Sequence, residues 1–331
     1  MTETPAASAI GGYFSLERGN GKGLPLLEVA TKYQSARTAM ATVLEIVKPK
    51  TVWVPHYICA AVTEMLSSKG LKTQGYALCD GFGVPSDLAL EAADWLVCVD
   101  YFGISGAACD DAIARYGRER ILVDASQSLF HRPRPGVTTV YSVRKFVGVP
   151  DGGLIIGPHI LPVPTMADEA ASITRSQHLL TRASGQILKG YTQFQNAEAS
   201  LSGPESQAMS TLTTHMLAAI DFDQVRHQRV ANFSNLATAL RDQGFNIPAL
   251  PHDAVPLCCP VCDVDGKRMQ QKLLSQNIFT PTYWSDTALP EDDNVGFALR
   301  DRTVYLPCDQ RYGAAEMARI ARTLQSFKES T

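Results

Sequence analysis

The sequence predicts an α/β protein: a mostly parallel sheet flanked by helices, followed by a smaller C-terminal α/β domain. Three observations carry this. Thr-Val-Trp-Val-Pro at 51–55, Trp-Leu-Val-Cys-Val at 95–99 and Ile-Leu-Val at 121–123 are short continuous apolar runs, the pattern of strands covered on both faces. Segments of helical character, 60–68 and 110–116, separate them in β-α-β alternation. The length, 331 residues, is long for one core and comfortable for two.

Taken in order, the first helix starts near residue 35, where Ser35 and Thr38 suit a helix start and Ala39, Met40, Val43, Leu44 and Val47 recur at helical spacing. Further strands are expected over 138–143 and 153–157. Residues 167–191 are mixed polar and helical, and 209–241 read as a long helical connection. Strands over 254–264 and 302–306, with helices over 266–276 and 313–327, complete a small α/β domain. The expected division is a large domain over 1–210, and a connecting helix with the small domain over 211–331.

Hydrophobic residues make up 45% of the chain and charged residues 19%, ordinary for a fully folded globular protein. A formal net charge of −3 offers no broad basic field for nucleic acid or an anionic membrane surface. No apolar run approaches the ~20 residues that span a bilayer. The start, Met-Thr-Glu-Thr-Pro-Ala-Ala-Ser, lacks the features of a secretion signal, so the expected location is the cytoplasm. The eight cysteines lie in or beside apolar runs, as reduced small hydrophobes do. One Cys-x-x-Cys pair, Cys259 and Cys262, is read as an ordinary strand rather than a zinc site, and no metal is expected.

The chemistry centres on Lys145, which lies 21 residues after Asp124 between two expected strands. Asp124 ends a buried apolar run, where an unpaired carboxylate costs several kcal/mol, so a cationic partner is expected; a helix N-cap is the other reading. A lysine that holds an aldehyde as a Schiff base, with a carboxylate that keeps a pyridine nitrogen protonated, is what pyridoxal phosphate requires. Gln127, three residues on, can donate to that cofactor's phenolic oxygen; simple solvation is the other reading. Its phosphate needs backbone amides and hydroxyls such as a helix N-terminus provides; Ser35, Ala36 and Arg37 are the candidates, with Ser142 as an added hydroxyl. The glycine-rich 19–23 stretch follows no strand and lacks the Ser or Thr of a Walker loop, and reads as a turn or substrate-proximal loop.

The order Ser-Ala-Arg-Thr-Ala, Val-Pro-His-Tyr, Asp-Tyr-Phe-Gly, Val-Asp-Ala-Ser-Gln, Ser-Val-Arg-Lys and Pro-Asp-Gly-Gly, ending in Val-Tyr-Leu-Pro-Cys-Asp at 304–309, resembles the DegT/DnrJ type of nucleotide-sugar aminotransferases. These are fold-type I pyridoxal phosphate enzymes. The resemblance covers roughly residues 30–160 well and the C-terminal domain more loosely. It implies that Lys145 forms the internal aldimine and shuttles the proton, that Asp124 faces the pyridine nitrogen, and that Gln127 sits by the ring hydroxyl. Ser142, Ala36 and Arg37 would hold the phosphate. It also implies a homodimer with the active site at the interface, an amino-acid donor, glutamate foremost, and a nucleotide-linked keto-sugar acceptor.

The chain departs from the family pattern in three places. Ser142 and Lys145 are closer together than usual. Cys59 stands where many members stack an aromatic ring on the cofactor, which leaves Tyr57, Tyr101, His56 or Phe102 for that part. The Asn-Tyr-Arg segment that reaches across the dimer is absent, with Asn196 and Arg229 as weak substitutes. Two other readings stay open: elimination, decarboxylation or condensation with the same cofactor, and a non-catalytic binder on the same fold.

Overall fold

The computed structural model describes residues 10–14, 21–202 and 207–328. Seven strands form the main sheet: β2 (Thr31–Tyr33), β3 (Val52–Pro55), β4 (Thr73–Tyr76), β5 (Trp95–Val99), β6 (Ile121–Ala125), β7 (Thr138–Ser142) and β8 (Gly153–Ile156). Their spatial order is β2-β8-β7-β6-β5-β3-β4. β3 to β7 pair in parallel, and β8 runs antiparallel to both β7 and β2. Of the three apolar runs read as two-sided strands, those at 95–99 and 121–123 are central and wholly buried as β5 and β6, as is β7 beside them, whereas β3 lies next to the edge strand β4 and leaves Trp53 partly exposed. β2 and β4 are short, more polar edge strands, and neither was expected from the sequence.

Three crossover helices connect these strands: α2 (Ala36–Val47), α3 (Ala60–Ser68) and α4 (Gly106–Tyr116). α2 begins where its cap predicts, with Ser35 accepting from the Thr38 amide at 3.1 Å. Its apolar face, Ala39, Met40, Val43 and Leu44, is buried beneath the sheet. A four-residue α1 (Leu26–Val29) precedes β2.

Beyond β8 the mixed segment resolves into α5 (Glu169–Arg175), α6 (Gln177–Ala183) and α7 (Ile187–Ala199). The long connection is two helices, α8 (Thr211–Ala218), with its C-cap at Ala219, and α9 (Phe222–Asp242), which Asp221 caps through the Gln224 amide at 2.9 Å. The remaining elements are β9 (Cys259–Val261), α10 (Gly266–Ser275), β10 (Ile278–Phe279), α11 (Asn294–Asp301), β11 (Val304–Leu306) and α12 (Ala314–Lys328). β9 pairs antiparallel with β11, and Pro260 inside β9 fits a two-stranded ladder in which one side needs no donor. The strand expected over 254–264 shrinks to these three residues.

Two apolar cores follow. One lines the main sheet; the other joins Phe233, Leu236 and Leu240 of α9 to Met269, Leu273, Met317, Ile320 and Leu324. Each such buried side chain contributes about 1.5–3 kcal/mol, enough to hold ladders of two or three residues that could not hold themselves. The second core also takes in Ile10, because β1 (Ile10–Gly11) pairs in parallel with β10. The N-terminal stretch therefore packs with the C-terminal elements, a contact that no local pattern announces.

Candidate active site

Asp124 and Lys145 both stand at the carboxyl ends of parallel strands, where open α/β sheets gather ligands. Asp124 is the penultimate residue of β6, and Lys145 closes a single helical turn, Val143–Lys145, directly after β7. The Asp124 carboxylate is 7% exposed and accepts the Ser126 amide at 2.9 Å. Among the described residues no cation lies within 4.0 Å of it; Lys145 reaches it only as a more distant charge. Burial consequently pushes the Asp124 carboxyl above the usual range, against the opposing pull of Ser126 and Lys145. The alternative reading of Asp124 as a helix cap is realised only as a turn, since no helix follows.

Gln127 is 1% exposed. Its Oε1 accepts from the Phe102 amide at 3.0 Å, and because an amide N–H can only donate, this fixes which end of the side chain is which. The Nε2 donor is then left buried without a partner among the described residues. An orphaned donor of this kind costs about 1–3 kcal/mol, so it marks a place where an acceptor belongs.

The phosphate candidates converge through two glycines. Gly153 is in register with both Ser142 and Tyr33, and a Cβ on Gly153 would lie 2.0 Å from the Ser35 carbonyl carbon and 2.2 Å from the Ala36 nitrogen. The Gly152 amide donates to the Gln34 carbonyl at 2.7 Å. The Pro-Asp-Gly-Gly motif thus lets the start of α2 abut β8, which sets Ser142, Ser35 and Ala36 side by side. Asp151 of that motif, which the sequence reading passed over, is buried and accepts from Ser210 (3.1 Å) and Ser172 (2.7 Å), anchoring α8 and α5. The Ser35 hydroxyl is committed to the Thr38 amide and hydroxyl, so within α2 it is the first-turn amides, which have no intrahelical acceptor, that face outward. Arg37 donates to Ser202 at 2.8 Å.

The aromatic candidates fare differently. Tyr57 and Tyr101 are wholly buried and stack on one another, centroids 6.0 Å apart. Tyr57 bonds the Tyr283 carbonyl and the Tyr305 hydroxyl, both at 3.1 Å, and Tyr101 bonds the Tyr57 carbonyl at 2.6 Å. Neither ring has an open face in this structure, because both are buried with their hydroxyls satisfied. Phe102 is enclosed likewise, and Trp284 packs edge-on against Tyr57 at 4.9 Å. His56 faces Asp293 at 3.1 Å, and Cys59 is half-buried at the start of α3.

The arginines are tied within the chain. Arg144 pairs with Glu198, Arg311 with Asp309 at 2.7 Å, and Arg182 donates to the Gly11 carbonyl. Arg229, considered for a reach across a dimer, is instead wholly buried: it donates to the carbonyls of Pro256, Leu257 and Phe146. A cavity of about 640 Å³ lies between Lys22–Pro25 and the start of α9, and none of its lining residues belongs to the set around Lys145.

No protein-family model matches the sequence, and no curated protein matches it. Solved structures do match. A sugar aminotransferase, CalS13 of Micromonospora echinospora, superposes with a TM-score of 0.59 at 16% identity, over 90% of this chain and 87% of that one. A putative sugar aminotransferase of Streptococcus pneumoniae in its PMP form gives 0.66 at 13% identity, over 97% and 92%. DesV of S. venezuelae, solved with a ketimine intermediate, gives 0.62 at 17% identity, over 90% and 85%. The fold is that of these aminotransferases. The likeness extends over both cores of the chain, and the expected α/β class with a mostly parallel sheet is borne out.

Proposed function

We propose that this chain is a pyridoxal-phosphate-dependent aminotransferase, moving an amino group from an amino acid to a keto-sugar attached to a nucleotide. One observation carries the reading: a buried carboxylate without a close cation, Asp124, shares a strand end with an orphaned buried donor, Gln127 Nε2, within electrostatic reach of Lys145. A pyridinium N–H would supply the cation and a phenolate the acceptor, so the residues present fit the group. The solved aminotransferases of the same fold, two of them named for PLP and PMP forms, support the choice of cofactor.

When bound, pyridoxal phosphate supplies an electron sink that acidifies the α carbon of an attached amino acid. The chain's own residues would do the rest. Asp124 holds a proton on the pyridine nitrogen by staying ionised beside it. Gln127 orients the ring through its phenolic oxygen. The first-turn amides of α2 at Ala36 and Arg37, with the Ser142 hydroxyl, hold the phosphate dianion at the positive end of the helix. Lys145 would anchor the cofactor, take the proton from the substrate's α carbon and deliver it to the cofactor's C4′ carbon. The donor is glutamate or another amino acid, and amine transfer in two half-reactions gives ping-pong kinetics. Under this reading the cofactor-binding part is the main-sheet portion of residues 1–210, with β1 packed apart from it against β10.

A homodimer belongs to the same proposal. Ile160, Val163, Met166, Ile173, Leu180 and Leu188 are all exposed along one stretch of chain, and apolar side chains gathered into one patch would mark such an interface. Among the described residues no helix is long and apolar enough to cross a membrane.

The decisive experiment is an absorbance spectrum of purified protein with added pyridoxal phosphate, before and after borohydride, for the native chain and Lys145→Ala. A visible band that borohydride fixes covalently, and that Lys145→Ala abolishes, is expected. A spectrum identical in the two proteins sinks the proposal. Initial rates with glutamate and nucleotide keto-sugars should then give parallel double-reciprocal lines, and intersecting lines would count against amine transfer in two halves.

A further inference from the structure

The stretch that ends α7 runs along three cationic or polar features of the candidate site in turn. Glu198 pairs with Arg144 through both carboxylate oxygens, Nη2 to Oε1 closely and Nη1 to Oε2 at 3.4 Å. Ser200 accepts Arg175 Nε at 2.8 Å, and Ser202 accepts Arg37 Nη1 at 2.8 Å. Arg144 immediately precedes Lys145 on the turn after β7, and Arg37 is in the first turn of α2. Residues 198–202 therefore run from the turn that carries Lys145 to the start of α2.

The charges along this stretch are unequal. Glu198 faces Arg144 and Lys145 from the β7 turn and His178 from α6. Lys145 faces Asp124 from β6 and Glu198 from α7. Arg144 also lies near His178 and Arg175, both of which its charge disfavours as cations. Glu198 is the one carboxylate among these that touches the lysine's own turn through a forked ion pair, the geometry that fixes position as well as charge. Its side chain is 45% exposed and that of Arg144 13%, so the pair is not a fully solvated one. Burial opposes the charge on Glu198, yet Arg144 and then Lys145 hold its carboxyl below the ordinary range.

We infer that Glu198 is a positioning residue for Lys145: through its forked pair with Arg144 it balances the positive charge on the lysine's turn and so sets how readily the lysine nitrogen carries a proton. The inference rests on the cofactor reading above. Its physical content is an opposition of signs. Glu198→Gln leaves Arg144 and the lysine nitrogen as neighbouring, unbalanced positive charges, which favours loss of the proton from that nitrogen. Arg144→Gln removes a like charge and frees Glu198 to face Lys145 alone, which favours keeping it.

The test is the pH dependence of the visible band of the lysine-bound cofactor in the native protein, Glu198→Gln, Glu198→Asp and Arg144→Gln. Glu198→Gln is expected to lower the titration midpoint by about 0.5–1 pH unit, the low end of what a near charge does, since the pair is partly in water. Glu198→Asp should recover part of that shift, and Arg144→Gln should raise the midpoint. A pair that merely fastens α7 would lower the melting temperature of both variants and move neither midpoint, and that result overturns the inference. So do shifts of the same sign in both variants. Native protein that shows no band at all overturns the cofactor reading and this inference together, whereas a normal band with unmoved midpoints removes this inference alone.

Discussion

Arg229 offers the sharpest test of how the lysine's turn is held. It rises from α9 in the second core, is 0% exposed, and donates through Nη1 to the carbonyls of Pro256 (3.1 Å) and Leu257 (3.2 Å) and through Nη2 to that of Phe146 (3.0 Å). Phe146 follows Lys145, and its ring also lies under the guanidinium, 4.7 Å from centroid to Cζ. Replacing Arg229 by Met keeps the stem but strips three carbonyls of a charged donor. Each such bond is worth about 1.5–3 kcal/mol, and each abandoned carbonyl costs about 1–3. Gln310 still donates to Phe146 at 2.8 Å, and the desolvation of the guanidinium is no longer incurred. The net loss should therefore come to about 3–5 kcal/mol, a large part of the 5–15 that a native protein has. Urea unfolding followed by circular dichroism and tryptophan fluorescence reads it directly. Arg229→Lys should recover less than half, because one ammonium cannot reach carbonyls on two sides. A loss under about 1 kcal/mol for Arg229→Met would refute the account of Arg229 as the clasp between the second core and the turn of Lys145.

Two further predictions follow from the same geometry. Gly153→Ala should cost more than about 2 kcal/mol and weaken cofactor binding, because its Cβ would fall 2.0 Å from backbone at Ser35 and backbone cannot give way as a side chain tip can; stability within 0.5 kcal/mol of native would contradict that close approach. His178 is buried against Tyr13 and Phe194, and burial, with Arg144 nearby, lowers it to about 4. The unfolded chain takes up this proton near pH 6.5 and the folded one only near 4, so unfolding binds a proton and stability falls as pH drops across that window, by at most about 3 kcal/mol. His178→Phe should flatten the fall between pH 6.5 and 4, seen as urea midpoints less spread between pH 7 and 5; an unchanged spread would show that other groups drive it.

Local sequence carried much of the site because its signals are local. A serine before an apolar helical face became the cap of α2, and a carboxylate at the end of a buried run became Asp124, within electrostatic reach of Lys145. The surroundings of the aromatic candidates were not legible in the same way. Tyr57 and Tyr101 follow strand ends like any pocket-lining pair, but Tyr283, Trp284 and Tyr305, more than 180 residues further on, pack over them, and Tyr283 and Tyr305 take up the Tyr57 hydroxyl. Glu198 was not legible either, since nothing in a polar helix 53 residues after Lys145 says which turn it will meet.

By itself the sequence determined the alternation of strands and helices, the α2 cap and the order of Asp124 and Lys145 along the chain, because burial pattern and capping act over a few residues. The tertiary structure alone decided the antiparallel β8 that brings Gly153 against α2, the pairing of Ile10 with Ile278, the sealing of the tyrosines and the meeting of Glu198 with Arg144. Those depend on which distant surfaces exclude water together, and that free energy belongs to the packed whole rather than to any segment of it.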